Sequence, residues 1–140
     1  MKGTKRARGK DKEKIIEDII SYQIIGAAIE VHRILGGPGL LESVYEEALV
    51  WELQNSGLDV KRQVCVPISY KGNQLATPLR IDLLVDDLVI VENKATTQYN
   101  PIFESQTLTY LRLMNLRLGL VINFGETYVK NGIHRVPNLF

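Results

Sequence analysis

One run of four consecutive apolar residues, Leu88-Val89-Ile90-Val91, is followed at once by Glu92. A short continuous apolar run is typical of a strand that is covered on both faces, whereas strict alternation is typical of a strand with one solvated face. The run therefore predicts a central strand, extending from Val89 to about Ala95, that is covered on both faces. A carboxylate inside such a strand is costly to bury unless it pairs with another group or binds a cation.

The segments around this strand predict the remaining layers. Apolar residues spaced by three and four favour helices, and alternation favours strands. The predicted order is a helix over 15–35, a helix over Leu40–Ser56, strands over Val60–Ile68 and Leu79–Val85, the central strand, a helix over 101–115, a strand over Leu118–Phe124, and a hairpin of Tyr128-Val129 with Ile133–Val136 that turns at Asn131-Gly132. Tyr22 and Trp51 are expected to fill the core. The order α-α-β-β-β-α-β plus a C-terminal β-hairpin predicts an α/β (α+β) fold.

Composition restricts the class of protein. With 140 residues, 45% of them hydrophobic and 24% charged, the chain is expected to form one globular domain over 15–140. A single cysteine, Cys65, cannot form an internal disulfide. The apolar stretch over 15–35 is interrupted by charged residues, so no membrane span is expected. A cytoplasmic location is the simplest expectation.

Charge is concentrated at the N-terminus. Residues 1–14 hold seven basic and two acidic residues, and they are expected to form a flexible basic tail. Such a tail is attracted to phosphate, although many basic tails only aid solubility. If it binds nucleic acid, Lys5, Arg6 and Arg8 are the residues expected to contact the phosphates.

Two strand carboxylates and one lysine are candidates for chemistry. Asp82 lies within the strand before the central one, and Lys94 lies two residues beyond Glu92, on the same face. The loop between the two strands decides whether the carboxylates meet. A two-residue loop, Asp86-Asp87, sets Asp82 opposite Val91, whereas a three-residue loop sets Asp82 opposite Glu92.

Two carboxylates within reach of each other suit a hard divalent cation, Mg²⁺ or Mn²⁺, bound through oxygen ligands and waters. Such a cation polarises a phosphodiester, and a nearby lysine can hold the attacking water or stabilise the charge that develops. These three residues alone leave a simple ion pair open as the alternative, with Lys94 neutralising Glu92 or Asp82.

The segment Gly39-Leu40-Leu41-Glu42-Ser43-Val44-Tyr45 resembles the signature of the GxxExxY family, a group assigned to the PD-(D/E)XK nuclease-like superfamily. The resemblance extends over most of the chain after the tail. It includes Arg80-Ile81-Asp82, then Val91-Glu92-Asn93-Lys94-Ala95, then Gln106 with Tyr110-Leu111, and then Leu118–Gly125.

The resemblance implies a restriction-endonuclease-like mixed sheet and a role for each matching residue. Asp82 and Glu92 would be metal ligands, Lys94 the catalytic lysine, and Glu42 an additional acidic group that reaches the site from its helix. Gln106 would lie on the crossover helix near the same pocket, with Tyr110 on the same helix face.

Tyr45 either orders Glu42 or covers the edge of the site. Two positions depart from the family pattern. Phe103 stands where the family often has a histidine, and Asn93 stands where an apolar residue is usual.

The predicted function is hydrolysis of phosphodiester bonds in DNA or RNA by a metal-dependent nuclease-like domain. The alternative is a catalytically silent module that keeps the nuclease fold and binds nucleic acid or protein, since outside the tail the chain is mildly acidic and offers no broad basic surface. A third interpretation makes the domain one protomer of a homodimer, although no sequence feature identifies an interface.

Overall fold

The computed structural model describes the backbone of residues 2–139 and the side chains of residues 12–139. Its helices are α1 (Lys2–Ile34), α2 (Glu42–Asn55) and α3 (Ile102–Met114), and a 3-10 turn covers Val129–Gly132. Its strands are β1 (Val60–Val66), β2 (Ser69–Tyr70), β3 (Asn73–Gln74), β4 (Leu79–Val85), β5 (Val89–Lys94), β6 (Leu118–Asn123) and β7 (Ile133–Pro137). Among the described residues, no helix is both long enough and apolar enough to cross a membrane.

Five of the strands form one mixed sheet in the order β1-β4-β5-β6-β7. The β5–β6 pair is parallel and the other pairs are antiparallel. A parallel pair requires a crossover connection, and α3 supplies it. From Val89 to Asn93 every residue of β5 is buried, so the prediction of a central strand covered on both faces is confirmed, as is the α/β class.

The sheet separates two apolar layers. One layer joins buried residues of α1 and α2, including Ile24 and Leu49, to Leu83 and Val91 of the sheet. The other joins Leu111 of α3 to a different set of sheet residues. Outside the core, α1 is held to the far end of the sheet by ion pairs of Arg117 with Glu13 and of Arg135 with Asp18. The helices thus cover both faces, with α3 alone on one of them.

Three sequence predictions differ from the structure. The helix α1 begins at Lys2, so the backbone of residues 2–14 continues the helix that was expected to begin after a separate tail. The last strand, β7, pairs with β6, and Val129–Gly132 is a 3-10 turn in place of a hairpin strand. Tyr22 and Trp51 are 72% and 62% exposed, so their assignment to the core is wrong. Apolar residues surround α1 on several faces, but only one face can lie on the sheet.

Candidate active site

The loop between β4 and β5 sets the register of the two strand carboxylates. Val85 pairs with Val89 and Leu83 pairs with Val91, so the loop has three residues, of which Asp86 and Asp87 have positive φ angles of 51° and 55°. Continuing this register sets Asp82 opposite Glu92. The structure therefore has the three-residue alternative, in which the two carboxylates face each other.

At this position the carboxylates replace the ordinary strand hydrogen bonds. The backbone N–H of Asp82 donates to Oε1 of Glu92 at 3.3 Å, and the backbone N–H of Asn93 donates to Oδ2 of Asp82 at 2.8 Å. The regular pairing of β4 with β5 ends at Leu83 and Val91. Each carboxylate is thus fixed by the other strand, and the strands separate to make room for both.

Burial and the nearby charge of Asp82 determine the protonation of Glu92. Glu92 is 7% exposed. Burial is the main cause that raises the pKa of Glu92 to about 9, and the charge of Asp82 raises it further, while the backbone hydrogen bond from Asp82 and the charge of Lys94 oppose the rise. Without a cation, Glu92 therefore holds a proton at neutral pH. Burial, together with the charges of Glu92 and Asp82, also raises the pKa of Tyr110.

Lys94 lies at the end of β5, where one contact holds its ammonium and another holds its backbone. Its Nζ is 4.5 Å from the centre of the Phe103 ring, a cation–π contact. Its carbonyl accepts a hydrogen bond from the N–H of Phe124 at 2.8 Å. Phe103, which stands where the resemblance would often place a histidine, therefore contacts the lysine directly.

A buried asparagine holds the chain immediately after Lys94. Oδ1 of Asn123 accepts hydrogen bonds from the N–H groups of Thr96 and Gly125, and its Nδ2 donates to the carbonyl of Thr96, each at 3.0 Å. A Cβ atom at Gly125 would lie 2.2 Å from the carbonyl oxygen of Thr96, so only glycine permits this approach. The connection from β5 to α3 is thereby tied to the end of β6.

One face of α3 closes the site. Phe103, Gln106, Thr107 and Tyr110 follow one another at helical spacing, and with Arg80, Asp82, Glu92 and Lys94 they line a polar cavity of about 170 Å³. The helix approaches the sheet closely at Gly119, where a Cβ atom would lie 2.7 Å from Cγ2 of Thr107. The structure therefore brings Asp82, Glu92, Lys94, Gln106 and Tyr110 together.

Glu42 does not line this cavity. It is exposed in the first turn of α2. Partial shielding of its carboxyl group from water still raises its pKa, the charge of Asp82 raises that pKa further, and the charge of Lys94 lowers it. Glu42 therefore lies near enough to interact electrostatically with the site without forming part of its wall.

Tyr45 is buried away from the cavity, so the suggestion that it covers the edge of the site is wrong. Its ring stacks on Phe124 with centroids 4.7 Å apart. Its hydroxyl donates to the carbonyl of Gly37 at 2.7 Å and accepts from the N–H of Leu40 at 3.1 Å. Tyr45 thus fixes the loop that leads into the first turn of α2, where Glu42 lies.

Thr107 and Arg80 line the cavity although the sequence did not single them out as site residues. The hydroxyl of Thr107 donates to the carbonyl of Phe103 at 2.8 Å. The sequence signal for Thr107 was its position four residues after Phe103, which places both on the same face of the helix. The side chains of Lys5, Arg6 and Arg8 lie outside the described residues.

The carboxylates of Asp82 and Glu92 suit a hard cation that is bound by few protein side chains. Among the described side chains, no group of three or more His, Cys, Asp or Glu residues is arranged to hold a metal ion. Mg²⁺ is commonly bound by one or two carboxylates, with waters and substrate phosphates as the other ligands. Asp82 and Glu92 can supply those two carboxylates once Glu92 has released its proton.

Comparison with known proteins agrees with this fold. No curated protein and no solved structure matches the chain. The family model of the PD-(D/E)XK nuclease superfamily matches residues 18–136. Because the match covers α2, α3, all but the last residue of the sheet and most of the part of α1 that packs on it, the chain belongs to the PD-(D/E)XK nuclease superfamily.

Proposed function

We propose that this chain is a nuclease that hydrolyses phosphodiester bonds of DNA or RNA, using one Mg²⁺ or Mn²⁺ ion held by Asp82 and Glu92. The observation that carries the proposal is the register of β4 and β5, which sets these carboxylates opposite each other beside Lys94. Carboxylates that served only to form an ion pair with Lys94 would not need a polar cavity in front of them.

Three side chains of the cavity, besides the two metal ligands, have a direct role in this reaction. When bound, the cation supplies Lewis-acid activation of the phosphodiester and of the attacking water. Lys94, held against Phe103, orients that water or stabilises negative charge on the phosphoryl oxygens. Gln106 orients the substrate or the water from α3, and the Tyr110 hydroxyl, whose pKa is raised, keeps its proton and can donate.

The first test measures metal binding, since it does not depend on choosing the right substrate. Mn²⁺ is titrated calorimetrically into the wild type, into Glu92→Gln and into Asp87→Asn, which changes an exposed acid of the neighbouring loop. One ion should bind to the wild type and to Asp87→Asn but not to Glu92→Gln. Equal binding by all three proteins would contradict the assignment of the ligands.

Cleavage is tested with the same logic on labelled DNA and RNA, in single-stranded and duplex forms. Asp82→Asn and Lys94→Met should each lower the rate by about a hundredfold or more, the order of magnitude expected when one group that stabilises transition-state charge is removed. Asp87→Asn should cleave like the wild type. A purified activity that survived both cavity substitutions would refute the proposal.

The alternative, a module that binds without cutting, is favoured by one observation. Among the described side chains only two carboxylates converge in the cavity, and one of them holds a proton at neutral pH. On this alternative, calorimetry detects no Mn²⁺ even in the presence of a substrate oligonucleotide. Contacts of Lys5, Arg6 and Arg8 with phosphate remain part of either proposal, and replacing all three by alanine should weaken nucleic-acid binding and its salt dependence.

A further inference from the structure

A short hairpin between β1 and β4 has no structural role in the core. It consists of β2 and β3, in which Ser69 pairs with Gln74 and Tyr70 pairs with Asn73. Every residue from Ser69 to Pro78 is exposed. The hairpin forms its own two-stranded sheet, separate from the five-stranded one. Packing therefore does not explain why the chain leaves the sheet here.

The hairpin has a defined conformation in spite of its exposure. Lys71 and Gly72 have φ angles of 49° and 81°, the pair of positive values that a tight two-residue hairpin turn requires. The N–H of Leu75 donates to the carbonyl of Ile68 at 2.9 Å below the turn. Its tip thus presents Tyr70 and Lys71 in a fixed arrangement.

The tip combines an aromatic ring with a positive charge. Tyr70 is 58% exposed, and Nζ of Lys71 lies 5.5 Å from the centre of its ring. Exposed aromatic rings beside basic groups bind single-stranded nucleic acid, because every base can stack on a ring while phosphates contact the cations.

The charge of the surrounding segment supports such a ligand. Residues 60–81 contain four basic residues and no acidic residue. Two of them are neutralised by Asp87 and Glu46, which pair with Lys61 at 2.7 Å and with Arg62 at 3.1 Å. Lys71 and Arg80 form no ion pair with any described residue, so both are available to phosphate.

The base of the hairpin leads directly into the wall of the candidate active site. Its last connecting residue, Pro78, precedes Arg80 by two positions, a distance of about 7 Å along an extended chain. Arg80 lines the cavity that contains Asp82 and Glu92. A nucleic-acid strand that enters the cavity past Arg80 therefore passes the base of the hairpin.

We propose that the β2–β3 hairpin binds unpaired nucleotides next to the scissile phosphate, with a base stacked on Tyr70 and phosphates contacted by Lys71 and Arg80. The substrate class is accordingly nucleic acid with a single-stranded segment. This inference rests on the proposed nuclease function for its biological meaning, but binding by the hairpin can be measured without cleavage.

The experiment measures fluorescence anisotropy of labelled oligonucleotides of about 12 nucleotides, with EDTA present so that no cleavage occurs. Single-stranded DNA, single-stranded RNA and a duplex of the same sequence are compared. Tyr70→Ala should weaken single-strand binding about tenfold, whereas Tyr70→Phe should retain it because the ring remains. Tyr22→Ala, which removes another exposed tyrosine from α1, should bind like the wild type.

Salt dependence tests the two cations. Replacing Lys71 or Arg80 by alanine should reduce the slope of log binding constant against log salt by about 0.7 for each lost phosphate contact. Unchanged binding by Tyr70→Ala, tighter binding of the duplex than of the single strand, or no single-strand binding by the wild type would each overturn the proposal. The DNA and RNA arms decide which nucleic acid is preferred.

Failure of this inference is distinguishable from failure of the nuclease proposal. Asp82→Asn should lower the cleavage rate by about a hundredfold or more, while the part of single-strand binding that depends on Tyr70 remains in EDTA. Tyr70-dependent binding without any metal-dependent cleavage would retain the hairpin site and reject the nuclease. Metal-dependent cleavage together with binding that does not depend on Tyr70 would retain the nuclease and reject the hairpin site.

Discussion

Replacement of Glu92 by glutamine should remove a large part of the pH dependence of folding in the metal-free protein. The pKa of Glu92 is about 9 in the native state, against an ordinary value of 4.5. Native protein therefore keeps a proton that the unfolded chain releases, so the stabilisation is complete below about pH 4.5 and is lost as the pH rises towards 9. One proton corresponds to about 3 kcal/mol between about pH 5.5 and 7.5.

The assay is urea unfolding of the wild type and of Glu92→Gln at several pH values in EDTA. Contributions of other groups, including Glu17 and Glu42 with their raised pKa values, occur in both proteins and cancel in the difference. The free energy of unfolding of the wild type should fall with pH more steeply than that of the variant. Parallel pH profiles would refute the account of a buried, protonated Glu92. Added Mn²⁺ should restore stability near pH 7.5 in the wild type alone.

Three further substitutions test how the site is supported. Gly119→Ala should destabilise the fold by about 1–3 kcal/mol, because the added methyl would clash with the methyl of Thr107. In urea unfolding, combining it with Thr107→Ser should recover part of that loss. Additive effects of the two substitutions would contradict the contact. Tyr45→Phe should lower the free energy of unfolding by about 1–2 kcal/mol, because Gly37 and Leu40 lose its hydroxyl while the ring stacking remains; an unchanged urea midpoint would count against this role. Asn93→Val should raise the free energy of unfolding by about 1–3 kcal/mol, because neither polar atom of the buried amide has a hydrogen-bond partner among the described residues; a lower midpoint would mean that the amide is satisfied.

The order of the elements and the central position of β5 could be predicted because they depend on local patterns. The apolar run before Glu92 indicated burial on both faces, and the spacing of Lys94 placed it on the same face as Glu92. The register of β4 with β5 could not be chosen from the sequence, because Asp86-Asp87 allows a loop of two or three residues. The pairing of Val85 with Val89 settles it in favour of three residues, and only the structure supplies that pairing.

The wrong predictions share one physical cause. The spacing of apolar residues along a helix does not show which side of that helix packs against the sheet. Tyr22 and Trp51 have helical spacing relative to core residues, yet each points away from the sheet. Tyr45 follows Glu42 by three residues, yet Tyr45 turns into the core while Glu42 remains exposed. Contacts distant in sequence, such as Asn123 with Thr96, were equally inaccessible, since no local signal connects them.

The centre of β5 carries polar groups at two consecutive positions, and strand alternation points them to opposite layers. Glu92 faces the cavity, whereas Asn93 lies fully buried on the side of α1 and α2, where no described residue forms a hydrogen bond with its side-chain amide. Its backbone N–H, however, holds Asp82. A strand selected only for stability would be apolar at both positions, and such local departures are expected where function requires them. Mn²⁺ binding distinguishes the role of the Asn93 backbone from that of the Glu92 carboxylate. Asn93→Val should still bind Mn²⁺, because any residue at this position except proline supplies the same N–H. Glu92→Gln should not bind it.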